Sequence, residues 1–250
     1  MKNWLYASAA ALALSIATVG AQAAPVDLSS WIAEGDGRWN LEAGNNAVKQ
    51  TINGLPTVFH NAAASSQGQA LSGTIQVQEF GGDNDFVGFV LGYHAGDLTN
   101  ASADYILIDW KQGNQTEFGC VGGAGLAVSR VTGALGNNSG AWCHEPMDNV
   151  TELQRATTLG NTGWADNAEY TFDLIFTASA IQVKVNGLTE LNIAGSFADG
   201  GFGFYNYSQP QVRYAGIEED VAPSIPVPAG LLLMGPVLGL AGMVARKRSA

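Results

Sequence analysis

Residues 81–89, with the sequence GGDNDFVGF, place three oxygen-bearing side chains directly before an apolar run. Asp83, Asn84 and Asp85 offer carboxylate and amide oxygens, which are the ligands that Ca²⁺ takes in proteins. The same residue types are also favoured in solvated β-turns. The stretch therefore predicts either a Ca²⁺ site or an ordinary turn at the head of a buried strand.

Groups with the spacing of a known catalytic motif do not occur in the sequence. The three histidines, His60, His94 and His144, lie outside any HExxH motif, and the chain has no GxSxG and no ExDxxE stretch. Cys143 precedes His144, but a disulfide beside a loop histidine accounts for this pair better than a thiol nucleophile does. Paired acids at other spacings remain the one route to a glycan hydrolase. We predict that the protein is not an enzyme.

The two ends of the chain indicate export. Residues 1–23 carry one positive charge at Lys2, then an uncharged apolar run, and end on the small residues AQA. This is the anatomy of a secretory signal peptide, in helical form, with cleavage expected after Ala23 or Ala24. In an oxidising compartment Cys120 and Cys143 are expected to form a disulfide rather than a metal-binding pair.

The C-terminal part, residues 223–250, predicts a membrane anchor. The uncharged run at 229–245 is at the short end of what spans a bilayer as a helix, and the basic cluster after it would stay in the cytoplasm. A proline-containing signature, an apolar helix and a basic end resemble the PEP-CTERM class of sorting signals in its VPLPA variant. That resemblance implies an exosortase- or archaeosortase-type transpeptidase as partner. The residues concerned are Pro226, Val227, Pro228, Ala229 and Gly230, with Arg246, Lys247 and Arg248.

Between these ends, residues 24–222 are long enough for one domain with a sizeable core. This exported part carries seven basic and all 22 acidic residues, a net charge of −15. Such a charge argues against nucleic acid and anionic lipid as partners and favours cations where carboxylates converge.

Alternation of period two predicts an all-β fold. Examples are YTFDLIF at 170–176, IQVKV at 181–185 and, after Asn186 and Gly187, a further strand. Asn-Gly between two such runs predicts a tight hairpin, because both residues accept positive φ. Many short strands joined by turns predict a jelly-roll sandwich of two antiparallel sheets. Trp110 is expected in the core, with Lys111 on the opposite face of its strand.

The segment 72–115 resembles the C-terminal lectin-like domain of thrombospondins, with a strand beginning SGT, an acidic turn, a GFVLGY strand and a WKQ strand in the same order. Further matches, AWCHE at 141–145 among them, extend the likeness over about residues 38–218. The resemblance implies a concanavalin-like jelly roll that binds Ca²⁺, with Asn84 replacing an acid of the family's turn, and it makes a Ca²⁺ site at Asp83, Asn84 and Asp85 the favoured interpretation.

The same resemblance implies a function in adhesion or in contact with extracellular matrix or biofilm. The partner, an extracellular protein or a glycan, is not identified by the sequence. A carbohydrate-binding lectin is the alternative, with Tyr205 and Tyr207 as aromatic residues that either stack on a sugar or pack in the core. A glycan hydrolase is the third hypothesis.

Overall fold

The computed structural model describes residues 23–61, 65–78 and 82–225. The predicted signal helix and the predicted C-terminal transmembrane helix lie outside these ranges. Among the described residues, no helix has the length and apolar character needed to cross a membrane.

Strands make up nearly all of the regular structure in the described ranges. One short helix, α1 (Ser139–Cys143), and two 3-10 segments, Leu28–Ser30 and Pro146–Asp148, complete it. The strands are β1 (Ala24–Pro25), β2 (Ile32–Gly35), β3 (Trp39–Leu41), β4 (Ala47–Gln50), β5 (Thr57–His60), β6 (Gln69–Val77), β7 (Phe86–Tyr93), β8 (Tyr105–Lys111), β9 (Gln115–Glu117), β10 (Cys120–Gly122), β11 (Gly125–Val131), β12 (Val150–Arg155), β13 (Glu169–Phe176), β14 (Ala180–Val185), β15 (Leu188–Ala194), β16 (Gly201–Tyr207) and β17 (Val212–Val221).

The strands of the described ranges form two large antiparallel sheets and one small hairpin. The first sheet has the order β15-β14-β13-β6-β17-β4-β3, with β1 paired to β17. The second sheet has the order β12-β11-β8-β7-β16-β5-β2, and β9 pairs with β10 outside both. The predicted all-β sandwich of two antiparallel sheets is confirmed.

The main hydrophobic core lies between the two sheets. Phe89 and Phe172, from β7 and β13, meet there with ring centroids 4.5 Å apart. Trp110 is part of this core, as predicted, and its indole nitrogen donates a 2.8 Å hydrogen bond to the Thr162 carbonyl. Period-two alternation on β13 and β14 places one side of each strand in this layer.

The second sheet is buried on its outer face as well. Every residue of β7 and of β8 is buried, because a second apolar cluster covers the outward-facing side chains. The cover comes from the 94–104 loop and from the segment 133–149, which contains α1. Tyr205 and Tyr207 belong to this second cluster, so the core-packing interpretation of these tyrosines is confirmed.

Two local predictions are confirmed by the backbone and the cysteines. Asn186 and Gly187 both have positive φ, 49° and 77°, in the tight turn between β14 and β15. Cys120 and Cys143 form a disulfide with Cα atoms 6.3 Å apart, which ties β10 to the end of α1.

The domain boundaries at 24 and 222 remain predictions, although both ends of the described sandwich lie close to them. Ala24 pairs with Glu219 in β17, and Val221 is the last strand residue.

Candidate functional site

The predicted acidic turn lies at one end of the second sheet, directly before β7. Asp83 is partly exposed, and its carboxylate accepts a hydrogen bond from the side-chain amide of Asn53. Asp85 is only 3% exposed, and its backbone N–H donates 2.9 Å to the Gln209 side chain. Asp83 and Asp85 therefore lie in different environments, although only one residue separates them in sequence.

Asp85 is paired with a buried lysine. The Lys111 ammonium, on a side chain that is 0% exposed, donates to the Asp85 carboxylate and to the Gln115 side chain. It also lies 4.9 Å from the centroid of the Phe86 ring and 4.4 Å from that of Trp142. Burial lowers the pKa of Lys111, while Asp85 opposes this shift. Lys111 does point away from Trp110, as predicted, but toward a second core and not toward solvent.

These contacts decide which of the three residues fit a Ca²⁺ ion. The side-chain oxygen of Asn84 is buried and accepts no hydrogen bond from the described residues, so its lone pairs could coordinate a cation. Asp83, the preceding residue, has a partly exposed carboxylate that contacts Asn53. Asp85 fits poorly, because a divalent cation there would compete with the Lys111 ammonium. The Ca²⁺ role of the turn remains a prediction, and in the described ranges no three His, Cys, Asp or Glu side chains converge as a metal cluster.

A cleft of about 410 Å³ opens beside this turn at the same end of the sandwich. One wall contains Asp36, Asn53 and Leu55 from the β2–β3 and β4–β5 loops, and another contains Glu117 and Phe118 from the β9–β10 hairpin. Leu55 and Phe118 are exposed, Phe118 by 42%, so both walls present apolar surface to solvent. Asn53 connects the cleft to the predicted turn through its hydrogen bond to Asp83.

The lining also contains the exposed residue Asn137 and the buried residues Trp142 and Tyr207. Tyr207 donates to the side-chain oxygen of Asn137 and stacks on Phe86 with ring planes 11° apart. Trp142 meets Tyr207 edge-on, with centroids 5.7 Å apart. Burial raises the pKa of Tyr207 to about 12, with smaller contributions from the carboxylates of Asp85 and Glu117, so the phenol stays a neutral donor.

Local sequence explains how these walls approach one another. Gly54 lies so close to the Asp36 carbonyl that a Cβ atom would come within 2.1 Å of that oxygen. Only glycine allows this approach. Phe118 adopts a positive φ of 51° in the β9–β10 turn, and the disulfide at Cys120 fixes the base of that hairpin.

The cleft combines apolar rings with amide and carboxylate groups. Such a surface suits a ligand that has apolar C–H faces and several hydroxyl groups, because the rings pack on the former and the polar groups hydrogen-bond the latter. Asp36 and Glu117 make the cleft negative, which disfavours an anionic ligand.

A buried charged cluster lies under α1, and apart from the AWCHE likeness no sequence pattern indicates it. His144 Nε2 lies 2.9 Å from Asp109, and its Nδ1 lies 2.9 Å from Glu152. Burial alone lowers the pKa of His144, but the two carboxylates outweigh it and raise the pKa to about 9. Arg155 in turn pairs with Glu152. This cluster holds the end of α1 on the second sheet.

The 94–104 loop contains the other polar residues near the predicted turn in sequence. Asp97 accepts hydrogen bonds from the His94 backbone N–H and from the Asn100 side chain. Asp104 forms a bidentate ion pair with Arg130. The Asp97 contacts are structural contacts within the loop, and the Asp104 pair joins the end of the loop to β11.

The comparisons with known proteins agree with this architecture. The family model described as "Thrombospondin C-terminal region" matches residues 34–221. A search of curated proteins gives no match.

Among solved structures, a carbohydrate binding module, CBM66, from Bacillus subtilis superposes with a TM-score of 0.52 at 9% identity, over 76% of this chain and 95% of that chain. The exoplasmic/lumenal domain of VIP36, in a Ca²⁺/Man3GlcNAc-bound form, has a TM-score of 0.49 at 12% identity, over 81% and 88%. At such identities the first likeness shows a shared fold, a lectin-like sandwich.

Proposed function

Because the chain belongs to the thrombospondin C-terminal region family, we propose that it is an exported, non-catalytic binding module for adhesion or for contact with extracellular matrix or biofilm. The disulfide supports export, since such bonds persist in oxidising compartments. The net charge of −15 on the exported part supports a soluble surface module.

The cleft at the end of the sandwich is the observation that carries the choice of ligand. We propose a neutral glycan, which would pack a sugar face on Phe118 and Leu55 and hydrogen-bond Asn53, Asn137 or the carboxylate of Asp36. The similar structure CBM66 is a carbohydrate binding module, which agrees with this proposal.

Glycan binding is tested with the purified exported protein on a glycan array, followed by calorimetry with the best hit. Phe118→Ala should weaken binding about tenfold, since a stacked aromatic contact contributes ~1 kcal/mol beyond its buried area. Leu188→Ala removes an apolar side chain that is even more exposed, at the β14–β15 hairpin outside the cleft, and should leave binding unchanged. If Phe118→Ala bound the glycan as tightly as the wild type, the binding site would lie outside the cleft.

Hydrolysis is the rival function that can be tested at this cleft, because two carboxylates, those of Asp36 and Glu117, line it. Paired carboxylates flanking a sugar are the groups that a glycosidase needs. We expect no product from a polysaccharide panel, and Asp36→Asn should alter affinity only. Released sugar that disappears in Asp36→Asn would replace the binding-module proposal by an enzyme.

Calcium binding is the further part of the proposed function. The buried, unpartnered oxygen of Asn84 and the neighbouring Asp83 carboxylate support it, while Asp85 stays with Lys111. An ion held there would fix the turn, and through Asn53 one wall of the cleft.

Surface sorting completes the proposal. Its support is the sequence pattern of residues 223–250, which begins beside the last strand and ends in a basic cluster. We propose that an exosortase- or archaeosortase-type transpeptidase recognises this tail and that the apolar run anchors the protein before processing.

A further inference from the structure

The Lys111–Asp85 pair has the composition of a covalent cross-link site. We propose that Lys111 and Asp85 form an intramolecular isopeptide bond, an amide that joins the end of β8 to the start of β7. The two side chains are in contact and are 0% and 3% exposed. Phe86, which follows Asp85, is the direct cross-strand partner of Lys111 in the β7–β8 pairing. The sheet itself therefore holds the amine against the carboxyl group.

The contact between the amine and the carboxyl group supplies the fixed geometry that amide formation needs. Two reacting groups fixed in one geometry react as if at very high concentration, because the translational freedom has already been lost. The Lys111 amine is further fixed by the Asn84 carbonyl, 3.3 Å away, and by the Gln115 side chain. No separate enzyme is needed to bring the two groups together.

The surroundings favour condensation over hydrolysis. Aromatic rings of Phe86 and Trp142 cover the amine, and α1, tied down by the disulfide at Cys143, holds Trp142 in place. A site closed to solvent keeps water from the newly formed amide. It also penalises the two charges of an ion pair, whereas an amide is neutral.

The reaction balances within the pair. A proton passes from the Lys111 ammonium to the Asp85 carboxylate, which gives an amine and a carboxylic acid. The Nζ lone pair then attacks Cγ, the Cγ–O bond of the hydroxyl group breaks, and that hydroxyl leaves as water with one proton from nitrogen. No electron is gained or lost, and no co-reactant is required.

The bond is tested by peptide mapping of the exported protein after reduction and alkylation. Digestion with a protease that cuts after aromatic residues should give one branched peptide that contains both Asp85 and Lys111. Its mass should equal the sum of the two separate peptides minus one water. Two unlinked peptides from the folded wild-type protein would overturn the proposal. This measurement uses only the wild-type protein, so it does not depend on whether a variant folds.

Variants separate the proposed bond from other mass losses. Lys111→Met keeps an apolar stem of similar length and should give unlinked peptides, while Lys184→Met, on β14, should keep the branched one. Asp85→Asn should give a branched peptide of the same mass as the wild type, because ammonia then leaves instead of water. A cross-link to Gln115 would lose ammonia in the wild-type protein and would overturn the assignment to Asp85. Loss of water from Asp83 or Asp85 by cyclisation onto the backbone yields no branched peptide and would likewise count against it.

Discussion

His144 should make the stability of the fold depend on pH above neutrality. Both ring nitrogens face carboxylates, Asp109 at 2.9 Å and Glu152 at 2.9 Å. A neutral imidazole donates from one nitrogen only, so the protonated ring is the form that satisfies both acceptors. The side chain is 5% exposed, so solvent does little to screen these contacts.

The size of the effect follows from the two pKa values of His144. Unfolded, the ring has its ordinary value of 6.5; folded, burial lowers the pKa but the carboxylates of Asp109 and Glu152 raise it to about 9. Each unit corresponds to 1.36 kcal/mol, so protonation contributes on the order of 3 kcal/mol to the free energy of unfolding. Because the folded pKa is the higher one, this contribution is complete below the unfolded value and is lost as pH rises through about 9.

Urea unfolding followed by tryptophan fluorescence, from pH 6 to pH 9 without reductant, measures this loss directly. Wild-type stability should fall by about 3 kcal/mol over that window. His144→Gln should already lack this contribution at pH 6 and show a flat profile, since its amide does not titrate. His94→Gln replaces an exposed histidine and should behave as the wild type. A His144→Gln protein that keeps the alkaline fall would show that another group titrates.

Three further outcomes are expected. Replacing Cys120 and Cys143 by serine should lower the free energy of unfolding by about 3 kcal/mol on the chain-entropy scale for a bridge of this span; equal urea midpoints for oxidised and substituted protein would contradict this. Saturating Ca²⁺ should raise the melting temperature, with ~2.7 kcal/mol of stabilisation at a hundredfold excess over Kd. Asp83→Ala should remove this response. A wild-type melting temperature that changes with neither Ca²⁺ nor chelator would show that residues 83–85 form only a turn. Deleting residues 223–250 should leave the domain folded and release it from the cell envelope, and an unfolded truncation product would show that the boundary is misplaced.

The sandwich was predictable from sequence because its central strands carry their own signal. Alternation on β13 and β14 and the Asn186-Gly187 turn specify a hairpin locally, whatever lies next to it. The short strands β9 and β12 gave no such signal. Their residues are mostly exposed and polar, so the sheet pairing, and not the pattern, makes them strands.

The site was harder to predict because its contacts join distant positions. Alternation correctly sends Lys111 to the face opposite Trp110, but alternation says nothing about what covers that face. Whether the outer face of the second sheet is exposed to solvent depends on the segment 133–149. The polar sequence of this segment gives no indication that it packs on apolar strands. Only the structure shows that Lys111 needs a buried partner and that Asp85 is that partner.

Two adjacent residues at the end of α1 therefore connect stability to binding. Cys143 is bonded to the β9–β10 hairpin, and His144 is held on the second sheet by Asp109 and Glu152. The residue before them, Trp142, is at once part of the lining of the cleft and the ring over the Lys111 amine. We expect a loss of either anchor to shift Trp142 before it disturbs the core between the sheets, because Trp142 directly precedes both anchors in sequence. The Trp142 side of the cleft is thus held by a covalent bond and an ion-paired imidazolium on the outer face, whereas the close approach of Gly54 to Asp36 shapes the other side.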